Sequence, residues 1–137
     1  LPKGKTVVLA PYTNSCRSEI TAELWERMAE GLKRKGYGVC TNCAGEEKPI
    51  RNTQAICFPY EEGVNVAEYA GGFLAFRSGL CEIVSPAKCK MVVFYENGSW
   101  STSYEHFSLR KMGLNQNEIP VIFEKDEDIE KIFEIFS

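Results

Sequence analysis

Apolar positions along the chain fall into two alternating kinds of segment. "TVVLAPY" (residues 6–12) is a β-branched run stopped by Pro11 and reads as a buried strand. The segment after it, "EITAELWERMAEGLKRKG", sets Ile20, Leu24, Met28 and Leu32 four residues apart with Trp25 alongside, the single stripe of an amphipathic helix. Ser18 is the expected N-cap of that helix, with Glu19 in its first turn. Lys33, Arg34 and Lys35 suit the last turn, where cations meet the negative end of the helix dipole, and Gly36 suits the position after it.

The alternation continues to the end of the chain. Strands are expected at 37–43 ("YGVCTNC") and 55–59, followed by two helical turns in "VNVAEYAGG" that stop at Gly71-Gly72. "FLAF" is a fourth strand, "LCEIVS" a short helix with Leu80, Ile83 and Val84 on one side, and "MVVFY" a fifth strand. In "STSYEHFSLRKMG" the pair Thr102 and Glu105 fits a capping box and Gly113 a helix stop. "IPVIFE" is a last strand and "DEDIEKIFEIF" a last helix, with Ile129, Ile132, Phe133 and Phe136 facing inward.

Strands that read as solid apolar runs and alternate with helices indicate a parallel sheet covered on both faces. The expected fold is α/β: a Rossmann-like, doubly wound, mostly parallel sheet of about six strands with helices on both faces, in one domain spanning 1–137.

Composition narrows the function more than the fold. At 137 residues, 44% hydrophobic and 26% charged, this is an ordinary globular chain. A net charge of −3 provides no general attraction for nucleic acid, so no nucleic-acid partner is expected. No apolar run is long enough to span a bilayer, and no charged leader with an apolar stretch opens the chain, so a cytoplasmic location is expected. Because the chain starts at Leu1 and not at Met, a piece cut from a longer polypeptide is expected.

Of the six cysteines, only Cys40 and Cys43 are close in sequence. A redox pair would sit at a helix N-terminus, where the thiolate is stabilised, but this one ends a strand, and no second pair completes a zinc site. Structural thiols are the favoured reading, with a thiol function for Cys40 and Cys43 as the rival.

In a doubly wound sheet, ligands bind beyond the carboxyl ends of the strands, near the point where strand order reverses. That rule selects Thr13, Asn14 and Ser15 after the first strand, Glu61 and Glu62 after the third, and Arg77, Ser78 and Gly79 after the fourth. Ser-Gly permits close backbone approach, amides at a helix start attract anions, and an arginine fork matches phosphate oxygens. The same residues also fit a plain turn, with Arg77 paired to a nearby glutamate. Glu61 and Glu62 offer carboxylates to a ribose or sugar diol. No dinucleotide fingerprint, P-loop or nucleophile elbow is present. The acidic cluster Asp126-Glu127-Asp128 matches the first turn of a helix better than a metal site, and neither a metal nor a resident cofactor is expected. His106, the sole histidine, reads as structural, and Asn97-Gly98 as a turn.

The order "LAPYTNS", amphipathic helix, "GYGV", "VAEYAGG", "GFLAFRSGLCEIVS", "KCKMVVFY" resembles the C-terminal half of bacterial GT-B glycosyltransferases of the heptosyltransferase-like, lipopolysaccharide-biosynthesis kind. The likeness runs over about residues 4–112, and "YEHFSLRKMGL" resembles a segment of lipopolysaccharide or capsule proteins. It implies that Ser78, Gly79 and Leu80 line a nucleotide-sugar pocket and that Thr13 to Ser15 approach the donor phosphates. Arg77 stands where heptosyltransferases usually carry an aspartate. The resemblance further implies a donor-binding domain whose partner is an N-terminal acceptor domain of the same polypeptide, in the cytoplasm or peripheral at the inner membrane. The nucleoside diphosphate would leave by in-line displacement, stabilised by helix-terminal amides. The catalytic residues would lie in the other domain, leaving this one inactive alone. The alternatives are a stand-alone nucleotide- or sugar-phosphate-binding module and a sugar-nucleotide epimerase-like domain.

Overall fold

A computed structural model describes residues 1–12, 20–96 and 102–137. Six strands form one sheet in the order β3-β2-β1-β4-β5-β6. They are β1 (Thr6–Ala10), β2 (Gly38–Asn42), β3 (Gln54–Ile56), β4 (Gly71–Phe76), β5 (Lys90–Tyr95) and β6 (Ile119–Ile122). Every pairing is parallel. The expected Rossmann-like α/β architecture is therefore present.

Strand residues alternate between two cores because successive side chains leave opposite faces of a pleated sheet. Val7, Leu9, Leu74, Phe76, Val92 and Phe94 meet Trp25, Met28, Leu32, Ile132 and Phe136 on one side. Val8, Ala10, Phe73, Ala75, Met91 and Val93 meet Ala67, Ala70, Cys81, Val84 and Leu109 on the other. The first layer is supplied by α1 (Ala22–Arg34) and α5 (Lys131–Ile135), the second by α2 (Gly63–Ala70) and α3 (Gly79–Val84). Pro120 is tolerated in β6 because that strand is an edge.

Three helix ends differ from expectation. The cap of α1 is Thr21, whose hydroxyl accepts from the Leu24 amide at 3.2 Å; Ser18 lies outside the described residues. Ile20, one residue before the cap, joins the core that holds Trp25, the arrangement of a hydrophobic staple. In "STSYEHF" the cap is Ser103, one residue later than expected, and α4 (Tyr104–Phe107) lasts a single turn. The last helix opens as a 3₁₀ segment, Asp126–Glu130, before α5 begins. Its Asp128 carboxylate accepts from the amides of Glu124 (2.7 Å) and Lys125 (3.0 Å) and faces Lys131 at 3.5 Å. The acidic cluster thus works as helix-start chemistry. Phe133 is only half-buried, lying against Gly31 of α1. No helix among the described residues is long and apolar enough to cross a membrane.

Gly71 ends α2 in the left-handed conformation (φ 94°) and immediately begins β4, so helix and central strand meet with no linker. A Cβ there would sit 2.9 Å from the Gly4 carbonyl oxygen. Strained backbone and a backbone clash act together. Gly71→Ala is expected to lower stability by about 2–4 kcal/mol in urea titration.

The Asp128 carboxyl is held below its usual range, first by the Glu124 amide and then by the Lys125 amide and Lys131. The stabilisation is therefore complete above the unfolded-state value of about 3.9 and fades as pH falls through the lower folded value. Asp128→Ala should cost about 1 kcal/mol at neutral pH. The gap to the parent should close on acidification, as followed by urea midpoints across pH.

Candidate functional site: the crevice at the strand-order reversal

β1 is the strand about which the order reverses: the chain builds outward to β2 and β3, then crosses back to β4 on the other side of β1. The helices that follow β1 and β4 pack on opposite faces of the sheet, α1 on one and α3 on the other, the arrangement that leaves a gap between the two strand ends. A cleft of ≈ 330 Å³ occupies this place. Ala10 and Tyr12 border it from the end of β1, and Ser78, Gly79, Leu80 and Ile83 from the end of β4 and from α3. Asn42, Ala44 and Glu47 after β2, with Cys57, Phe58 and Tyr60 after β3, form the remaining wall.

The walls are held by their own hydrogen bonds. The Tyr12 hydroxyl donates to the Lys48 carbonyl, tying the end of β1 to the loop after β2. Burial, then the charges of Cys43 and Glu47, push the Tyr12 pKa up, so this hydroxyl keeps its proton at neutral pH. Glu47 accepts from the Ala44 amide at 2.8 Å, closing the turn beneath it. Ser78 is extended (φ −155°, ψ 174°) and caps α3; its carbonyl accepts from the Cys81 amide at 3.1 Å. Beside Gly79 a Cβ would meet nothing within 4 Å. Gly79 itself is exposed, and Ser78 beside it is buried.

Arg77 is placed otherwise. It is 5% exposed and does not border the cleft. Its Nε donates to the Phe107 carbonyl at 2.7 Å, and Nη1 to the carbonyl of Ser78. Nη2 lies 3.3 Å from the Met112 sulfur and 3.6 Å from the Glu82 carboxylate. The expectation of a phosphate-binding fork is revised: the guanidinium fastens the end of β4 to the segment after α4. The physical reason is that a charge carried this deep into the fold is retained only where several acceptors surround it, and here the surrounding acceptors belong to the protein.

A second buried polar knot secures the same segment at β5. The Tyr95 hydroxyl donates to Glu118, the Leu109 amide donates to the Tyr95 oxygen at 3.0 Å, and the Arg110 amide donates to Glu118 at 2.6 Å. Burial and the Glu118 carboxylate drive the Tyr95 pKa far upward, keeping it a donor.

Of the residues selected from sequence, Ser78, Gly79 and Leu80 border the cleft. Thr13, Asn14 and Ser15 lie outside the described residues. Glu61 and Glu62 sit exposed on a 3₁₀ turn, Tyr60–Glu62, and do not border the cleft; Glu62 accepts from Asn65 at 3.3 Å. His106 is exposed beside Glu105, away from the cleft. Asn42, Glu47, Cys57 and Phe58 were missed, although the strand-end rule applied to β2 as well would have found the first of them. Among the described residues, no group of three His, Cys, Asp or Glu side chains is placed to hold a metal.

A larger cleft of ≈ 450 Å³ runs between α1 and α5, and no strand residue lines it. Its arginines are already engaged, Arg27 with Glu130 and Arg34 with Glu30. The crevice is the better site because position and the open space over Gly79 coincide there.

No family model matches the chain, and no curated protein or solved structure matches it either.

Replacing Arg77 takes the charged donor away from the half-buried Phe107 and buried Ser78 carbonyls. Arg77→Ala should lower stability by about 2–4 kcal/mol in urea, from hydrogen bonds to a charged group and their unpaired remainder. Arg77→Lys should recover only part of the loss, because an ammonium cannot reproduce the planar fork.

Proposed function

We propose that the crevice binds a nucleoside-diphosphate-sugar and that the chain is the donor-binding domain of a glycosyltransferase of cell-surface polysaccharide or lipopolysaccharide synthesis. The observation that carries the reading is the cleft at the strand-order reversal, bordered by Ser78, Gly79 and Leu80 with open space over Gly79. A diphosphate lying across this corner approaches the backbone at Gly79, where an added Cβ would meet nothing within 4 Å. Tyr12, Phe58 and Tyr60 on the opposite wall present aromatic surface on which a base can stack, and Asn42 offers both a donor and an acceptor to its edge. No lysine or arginine is among the described residues bordering the cleft, and on this reading the helix-start backbone at Ser78 and Gly79 supplies the positive potential.

The same lining supports binding rather than chemistry. Glu47 is the one carboxylate among the described lining residues, and its oxygen already accepts from the Ala44 amide. The reading assigns the acceptor-activating base to an N-terminal acceptor domain of the same polypeptide. That observation also favours the second reading, a stand-alone nucleotide- or sugar-phosphate-binding module.

A thermal-shift panel of UDP-, GDP-, ADP- and CMP-sugars tests the proposal. At a hundredfold excess over Kd, linkage stabilises the folded state by about 2.7 kcal/mol, which moves Tm by several degrees in a domain of this size. At least one nucleoside diphosphate is expected to do so. Gly79→Val should abolish that shift while melting close to the parent, since Gly79 borders the cleft and an added Cβ there has no protein atom within 4 Å. A flat panel sinks the donor reading.

A further inference from the structure

The fold brings together two cysteines that the sequence holds fourteen positions apart. Asn42 pairs with Ile56 on the last rung of the β2–β3 ladder, and the Cys43 amide donates to the Ile56 carbonyl at 2.9 Å. In a parallel ladder that bond sets Cys43 opposite Cys57, one rung past the strand ends. Neighbouring strands lie about 4.8 Å apart, within the Cα separation of about 4.4–6.8 Å that a disulfide spans. The two-residue period of strands puts both side chains on the face shared by Thr41 and Ala55. Cys57 is exposed and borders the crevice, and Cys43 is half-buried behind it.

Cys40 is excluded from this pairing. Three residues along a strand lead to the opposite face, where Cys40 is 2% exposed in the second core with its sulfur 4.0 Å from the Val7 carbonyl. The Cys-x-x-Cys spacing is thus a coincidence of sequence, and the partner of Cys43 comes from the neighbouring strand.

We propose that Cys43 and Cys57 form an oxidisable dithiol that closes to a disulfide at the rim of the crevice. The oxidant is a small disulfide of the glutathione class. The Cys57 thiolate attacks one sulfur of the oxidant, breaking its S–S bond and releasing one glutathione thiolate. Cys43 then loses its proton to solvent and attacks the Cys57 sulfur, expelling the second glutathione. Two protein thiols are oxidised and one glutathione disulfide is reduced to two thiols. Burial and the nearby charges of Glu47 and Cys57 hold the Cys43 thiol protonated, which makes exposed Cys57 the entering nucleophile and Cys43 the resolving thiol. The bond closes the loop that carries Ala44, Glu47 and the Lys48 carbonyl bound by Tyr12, so oxidation stiffens one wall of the crevice whatever that crevice holds.

The folded chain is incubated with oxidised glutathione, its remaining thiols are alkylated, and it is digested and mapped by mass spectrometry without reduction. The expected product is a peptide linking Cys43 to Cys57, with Cys40, Cys81 and Cys89 alkylated after unfolding. Cys43→Ser should stop at the mixed disulfide, with glutathione retained on Cys57. Cys40→Ser should leave the linkage unchanged. Alkylation of both Cys43 and Cys57 in the treated parent overturns the proposal, as does a linkage of either one to Cys40 or Cys16. The parent's map decides the matter even if a variant does not fold.

Discussion

Complete burial of the β1 backbone between two parallel neighbours is the constraint from which the rest of the molecule follows. Val7, Val8 and Leu9 have almost no exposed surface, and the strand is paired along its length with β2 on one side and β4 on the other. A strand sealed on both faces has no water to satisfy its amides and carbonyls, so both ladders must be complete. Helices must then cover both faces, and the chain has to cross from one side of β1 to the other between β3 and β4. The crevice is the geometric residue of that crossing.

What lies behind the crevice is less regular and is held by polar chemistry. The stretch from Thr102 to Glu118 contains only the single turn of α4, yet it covers the carboxyl ends of β4 and β5. Arg77 and the Tyr95–Glu118–Arg110 knot hold it there. Groups of this kind are expensive to bury and more expensive to leave unpaired, so they tie a loop to one position more specifically than apolar contacts can. In consequence the corner residues divide their labour: Arg77 faces the interior and secures the loop, while Ser78 and Gly79 border the cleft.

The described walls combine aromatic surface, an amide side chain, open space over Gly79 and an accessible thiol, without a paired acid and base. The thiol pair adds a covalent means of fixing one wall, and it is independent of the ligand's identity.

The repeating elements were legible in the sequence because each rests on local periodicity: the four-residue stripe of Ile20 to Leu32, the solid runs of "TVVLA" and "MVVFY", and the Gly71 stop. The parallel, doubly wound class followed from the same pattern, and so did the placing of Ser78 and Gly79 at a strand end. Cap positions shifted by a few residues, since Thr21 competes with Ser18 and Ser103 with Thr102 on nearly equal local terms. Only the tertiary structure decided where Arg77 would point and which thiol stands beside Cys43. Both depend on segments distant in sequence, the Phe107 carbonyl for the first and the Ile56 rung for the second. A side chain with several acceptors within reach, or a strand with two faces, takes its partners from the packing of the whole chain, which no local pattern encodes.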